Sequence, residues 1–263
     1  MSFMKSGFRW IIFLALLSCR SPVDKPKPLS PAITPGDIRS HIEFLAGDSL
    51  EGRATGSAGE AVAANYIADH FEHYGLIPAG DDNTYFQLFR VNTASSGSPH
   101  SIPDDTTGQQ RVSRNVAGIV RGTEIPDEYL VIGAHYDHLG MGGPGSLARN
   151  TSRIHNGADD NASGTAGLLE LAHYFSERKP RKNVLFVAFS AEEIGLIGSQ
   201  HFVDHPPAAT EQMAAMINLD MIGRLQNNKL LIFGTGSSSR WDGLIHRANS
   251  DSLDIKTIPD GTG

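Results

Sequence analysis

The sequence predicts an α/β domain, a three-layer α/β/α sandwich on a mixed, mostly parallel central sheet. Three observations carry this. Short, nearly uninterrupted apolar runs, Tyr129 to Ala134 and Val184 to Phe189, read as central strands covered on both faces. Stretches with apolar residues at helical spacing alternate with them. Acidic or histidine clusters then follow the apolar runs, where an open α/β sheet places its chemistry. These are His135-Tyr136-Asp137, Glu192-Glu193 and Asp220, with Asp159-Asp160 ahead of a helical stretch.

The elements follow in order. Ile38, Ile42 and Leu45 fall at helical spacing, and Gly52 to Ser57 reads as a loop. Glu60 to Tyr74 is a second amphipathic helix, stopped by Gly75. Tyr85 to Val91 alternates like a strand, and Asn92 to Arg111, rich in Ser, Thr, Gly, Asp and Pro, is a surface connection. Asn115 to Val120 and Tyr129 to Ala134 are strands, followed by a Gly-rich loop, Gly140 to Gly145. Thr165 to Ser176 is helical, Val184 to Phe189 a strand, and Gly198 to Asp204 a short helix. Met216 to Leu219 and Leu230 to Phe233 are further strands, and Trp241 to Ala248 has a helical pattern.

With 263 residues, 40% of them hydrophobic, the chain can bury one sizeable core. The net charge of −7 and the lack of a basic stripe argue against nucleic acid as a partner. The first residues read as a processing signal. Lys5 and Arg9 precede an apolar stretch, Trp10 to Leu17, that is too short to span a bilayer. Leu16-Leu17-Ser18-Cys19 resembles a bacterial lipobox, after which Cys19 would carry the lipid. An ordinary secretory peptide is the other reading. Losing residues 1–18 removes Lys5 and Arg9 and no acidic residue, leaving −9. The division expected is a lipoprotein signal peptide at 1–18, a Pro-rich tether at 19–35 and a catalytic domain at 36–263. The expected location is the bacterial cell envelope, as an outer-membrane lipoprotein facing the periplasm, or outside the cell. The membrane is a partner through Cys19.

Each cluster also has a plain structural reading. His135 follows a strand and would suit a metal as a neutral imidazole, or would simply hydrogen-bond there. Asp137, two residues on, lies on the same side and suits orienting that ring. Asp160 or Asn161 would serve as a helix N-cap, which leaves a second aspartate to explain. One carboxylate bridging two cations would use it. Adjacent Glu192 and Glu193 repel unless a cation or a shared proton relieves them. Division of labour fits, one binding metal and its neighbour taking a proton; a solvated pair at a helix start is the alternative. Asp220 alone reads as a turn residue. The case rests on the four clusters occurring together.

Taken in order, the segments Glu51-Gly52-Arg53-Ala54-Thr55-Gly56, Gly133 to Gly140, Asn156 to Gly164, Ala191 to Ser199 and Asn218 to Arg224 resemble the M28 zinc metallopeptidases of the bacterial aminopeptidase type. The resemblance spans about residues 35 to 263. It implies a phosphorylase/hydrolase-like fold, peptide substrates and two zinc ions. His135 and Asp220 would hold one zinc, Glu193 the other, and Asp159 would bridge them. Glu192 would be the general base acting on a metal-activated water, and Asp137 the partner of His135. The Asp159–Asp160 peptide would be cis.

The resemblance also implies one more histidine ligand downstream of Asp220. His246 falls in a helical stretch and does not suit. The expectation is therefore a chain truncated at its C-terminus, its last elements missing, that binds at most one zinc tightly and is nearly inactive. Three other functions fit the same residues. A glutaminyl-cyclase-like enzyme would use a single zinc, a carboxypeptidase or dipeptidase would differ in its pocket, and a binding module would hold no metal.

Overall fold

The computed structural model describes residues 32–92, 110–142, 146–148, 152–250 and 253–261. The signal peptide and Cys19 lie outside the described residues, as do most of the tether, the 93–109 part of the connection and 143–145 of the Gly-rich loop. In chain order the elements are α1 (Pro35–Leu45), α2 (Ala58–His73), β1 (Ile77–Pro78), β2 (Phe86–Asn92), β3 (Gln110–Val120) and β4 (Ile125–His135). After them come α3 (Gly164–Glu177), β5 (Lys182–Phe189), α4 (Ile197–Asp204), β6 (Met213–Asn218), β7 (Lys229–Phe233), α5 (Trp241–Ala248) and β8 (Asp254–Ile258).

Local chemistry sets the helix ends. Thr34 accepts a hydrogen bond from the Asp37 N–H at 3.2 Å, with Pro35 at the first helical position of α1. Ser57 caps α2 by accepting from the Glu60 N–H at 3.1 Å, and Gly75, with φ 71°, follows the end of α2.

The main sheet runs β1-β3-β5-β4-β6, with β2 also paired to β3. β4 pairs in parallel with β5 and β6, whereas β3 is antiparallel to β1, β2 and β5. The sheet is mixed, as expected, but its parallel part is confined to the strands around β4. β7 and β8 form a separate parallel pair. Neither β1 nor β8 was anticipated: β1 is two residues long, and Asp254-Ile255-Lys256-Thr257-Ile258 interleaves polar side chains with only two apolar ones.

β5 shows why the domain has three layers. Val184, Phe186 and Ala188 point into one core, with Ile67 and Phe71 of α2 and Leu168 and Leu169 of α3. Leu185, Val187 and Phe189 point into the other, with Phe202 of α4. The period-two alternation thus buries both faces of the strand.

α2 approaches the preceding turn so closely that a Cβ on Gly59 would lie 1.8 Å from the Leu50 carbonyl oxygen. Helix propensity alone favours Gly59→Ala by up to about 1 kcal/mol. The overlap should reverse that sign, giving a net loss of about 1–3 kcal/mol in urea unfolding. A neutral or stabilising Ala would show that this approach is not needed.

Candidate metal centre

The site lies where β4, β5 and β6 end together. Across the parallel ladders His135 is level with Phe189, and Gly133 with Asn218. The chain leaving β5 therefore presents Glu192 and Glu193, and the chain leaving β6 presents Asp220, at the level of His135. Thr165 of α3 donates to the His135 carbonyl at 2.9 Å. Ala191, fully buried with φ 57°, turns the chain so that the Glu192 N–H meets Asp137 Oδ1 at 3.2 Å. On the opposite side, Gly157 (φ 59°) begins the segment that carries the aspartates; a Cβ there would lie 2.4 Å from the Asp160 carbonyl.

Two groups of potential metal-binding atoms result, His135/Asp160/Asp220 and His138/Asp160/Glu193, each with its atoms within 4.8 Å of one another. His135 Nε2 is 3.2 Å from Asp160 Oδ1 and 3.5 Å from Asp220 Oδ1. His138 Nδ1 is 2.5 Å from Glu193 Oε1. The shared carboxylate is Asp160, which corrects the assignment of that place to Asp159. Asp160 has extended dihedrals (φ −107°, ψ 97°), a break from the helical backbone that Asp159 keeps. Asp159 is engaged elsewhere: its carboxylate accepts from the Gly223 N–H at 2.9 Å and pairs with Arg224 at 3.2 Å. The cis peptide is likewise one residue on, between Asp160 and Asn161.

His138 was not anticipated, because the resemblance implies that the further histidine lies downstream of Asp220. Its only signal was position, three residues beyond His135. Asn161 was anticipated as a cap, and here its Oδ1 accepts from the Gly164 N–H at 2.9 Å and the Met221 N–H at 3.2 Å. Its Nδ2 donates to the Leu219 carbonyl at 2.9 Å. One amide thus ties the start of α3 to the loop after β6. Asp137 faces His135 Nδ1 at 3.7 Å, an ion-pair approach longer than a hydrogen bond, and is itself held by the Thr55 hydroxyl at 2.8 Å.

The electrostatics reflect crowding. Burial disfavours charge on His135, but Asp137, Asp160 and Asp220 outweigh it and hold its pKa well above the ordinary imidazole value. Burial would raise Asp160, yet His135, His138 and Arg53 keep it below the usual carboxylate range. Glu192 is pushed up to about 7, first by burial and then by Asp137, Glu193 and Asp220, with His135 opposing. Glu192 lines an open cavity of about 260 Å³ together with His135 and Asp220, walled by Phe189, Leu196 and Met216. Imidazole nitrogens and carboxylate oxygens this close to one another form a donor set suited to divalent cations, and a cation would relieve the repulsion that adds to burial in lifting Glu192.

Comparison with known proteins places the chain in a family. Residues 115–258, more than half of the chain and including every member of both groups, match the model of peptidase family M28. A probable zinc metalloprotease of Pyrenophora tritici-repentis is 40% identical over 113 residues, covering 41% of this chain and 24% of that protein. The chain thus spans about a quarter of that relative's length. The zinc aminopeptidase BSAP of Bacillus subtilis has the same fold, with a TM-score of 0.63 and 18% identity over 88% of this chain and 81% of that one. So does a glutaminyl cyclase of Bacteroides thetaiotaomicron, with a TM-score of 0.59 and 17% identity over 86% and 79%. With its two cation groups inside the matched segment, this chain belongs to peptidase family M28.

Proposed function

We propose that the chain is a zinc-dependent exopeptidase of the aminopeptidase type, cleaving N-terminal residues from peptides. The observation that carries this reading is the sharing of Asp160 between two His-carboxylate groups beside a carboxyl of raised pKa. Zinc is the cation proposed because imidazole and carboxylate are its usual ligands and relatives in this family carry it in their names. His135, Asp160 and Asp220 would hold one ion, and His138, Asp160 and Glu193 the other.

Bound zinc would supply Lewis acidity toward the scissile carbonyl and the attacking water. The chain supplies the rest. Glu192, on the cavity wall, takes the proton from the water and returns it to the departing amine. Asp137 faces the Nδ1 side of His135 and leaves Nε2 toward the cation. Phe189, Leu196 and Met216 offer an apolar wall to the first side chain of the peptide.

The fold does not separate this reading from a single-zinc glutaminyl cyclase, since structures of both kinds match it. The second group around Glu193 favours two ions and hydrolysis. A metal-free binding module would have no use for either group.

The lipid anchor at Cys19 and an envelope location remain part of the proposal on the strength of the lipobox-like sequence. Among the described residues no helix is long and apolar enough to cross a membrane. Mass spectrometry of the mature N-terminus should find an acylated Cys19; an unmodified one, or an unprocessed chain, overturns the anchor.

Zinc counting by elemental analysis tests the ligand set. With His138 supplying a second imidazole, the unaltered chain should hold two ions in place of the one expected from the sequence; Asp160→Asn should lose affinity at both positions, and Asp159→Asn should keep both with weakened hold. Equal effects of the two substitutions would undo the role given to Asp160. Aminoacyl-p-nitroanilide hydrolysis tests the reaction. Glu192→Gln should retain zinc and lose about 10²–10⁴-fold in rate. Unchanged turnover would remove Glu192 as base, and cyclisation of glutaminyl peptides without hydrolysis would favour the rival.

A pH effect follows in the metal-free protein. The folded pKa of Glu192 is raised, from 4.5 to about 7, so folding favours its protonated form. Its contribution to stability is complete below about pH 4.5 and is lost as pH rises to about 7. Glu192→Gln should flatten that part of the stability profile in calorimetry with EDTA.

A further inference from the structure

We propose that Arg53 is the positioning residue of the metal centre, a buried clamp that sets the separation of its two ligand-bearing loops. The inference rests on the two-group reading above. Arg53 is fully buried, the largest such side chain among the described residues. Its four hydrogen bonds there go to backbone carbonyls and to no carboxylate. Nε donates to Tyr136 O at 2.8 Å, between His135 and Asp137. Nη1 donates to Asn156 O at 2.8 Å and Nη2 to Gly157 O at 3.0 Å, on the segment that runs into Asp160. Nη1 also donates to Leu45 O at the end of α1.

One planar group therefore spans the loop after β4 and the loop before α3. A guanidinium can serve several carbonyls in fixed directions, whereas an ammonium on a flexible stem cannot reproduce that fork. The backbone around Arg53 adds to the clamp. Its carbonyl accepts from the His138 N–H at 3.1 Å, and the Gly52 carbonyl from the Gly140 N–H at 2.9 Å. Two residues on, Thr55 holds Asp137.

The guanidinium charge has a use as well. Burial lowers its pKa to about 10, against the attraction of Asp137, Asp160 and Glu193, so it remains charged at neutral pH. A fixed positive charge behind the carboxylates eases their mutual repulsion before a cation arrives. The ligand loops are thereby ordered in advance, and binding need not order them.

The test uses the unaltered chain, Arg53→Lys, Arg53→Met and a surface control, Arg90→Met. Zinc affinity is read by chelator competition and the coordination geometry by the visible spectrum of bound Co²⁺. Loss of a partner that orients ligands typically costs about 10–100-fold in metal affinity. A drop of that size with an altered Co²⁺ spectrum in folded Arg53→Lys, and neither change in Arg90→Met, supports the clamp. Unaltered affinity and spectrum in either folded Arg53 variant overturns it. Where the variants do not fold, hydrogen exchange of the His138 amide in the metal-free unaltered chain decides. Protection before zinc is added supports the clamp; protection that comes only with zinc overturns it. An unaltered chain that takes up no zinc removes the metal-centre reading instead, and the amide measurement still judges the clamp.

Discussion

The parallel pairing of β4 with both β5 and β6 is the constraint on which the rest of the molecule depends. Parallel strands leave a sheet on the same side, so the segments after His135, Phe189 and Asn218 emerge level with one another. Connections between parallel strands must cross over a face of the sheet, and α3 and α4 lie on opposite faces between those strands. Burial of β5 on both sides follows, and with it the rigidity of the strand ends. Groups from four separate stretches of sequence meet because the register leaves them nowhere else to go.

What meets there is unfavourable by itself. Asp137, Asp160, Glu192, Glu193 and Asp220 converge on two imidazoles; Asp137 is buried and Glu193 nearly so, whereas Asp160 and Asp220 reach the solvent. The protein answers by raising one carboxyl toward neutrality, placing His138 against Glu193 and seating Arg53 behind the cluster. None of these devices cancels the excess of negative charge. Arrangements of this kind cost stability and mark functional sites.

The strands and helices around the site were legible because apolar periodicity reports burial directly. The run from Leu130 to Ala134 could hardly be anything but a central strand, and the strand end at His135 followed from it. The choice between Asp159 and Asp160 was not legible. Both stand in the same short segment, and which one faces the imidazoles depends on a local backbone turn that leaves no trace in composition. His138 lies past the end of β4, where period-two alternation no longer says which way a side chain points. Thr55 and Arg53 act across roughly eighty positions of sequence, so only the folded chain brings them to Asp137 and Tyr136. β8 was hidden by its polar residues.

In each pair of adjacent acids only one carboxylate belongs to a cation group, Asp160 in the first and Glu193 in the second. The other is free for another task. Beside Asp160, Asp159 braces the loop after β6 through the Gly223 N–H and Arg224. That loop carries Asp220, so Asp159 also braces a segment that bears a member of the first group. Beside Glu193, in the proposed reaction, Glu192 moves a proton. In the first cluster the two residues are spaced by one and fall on the same side, and there Asp137 faces the ring of His135. In the proposed centre a doubled acid is a ligand and its helper, and the local backbone decides which is which.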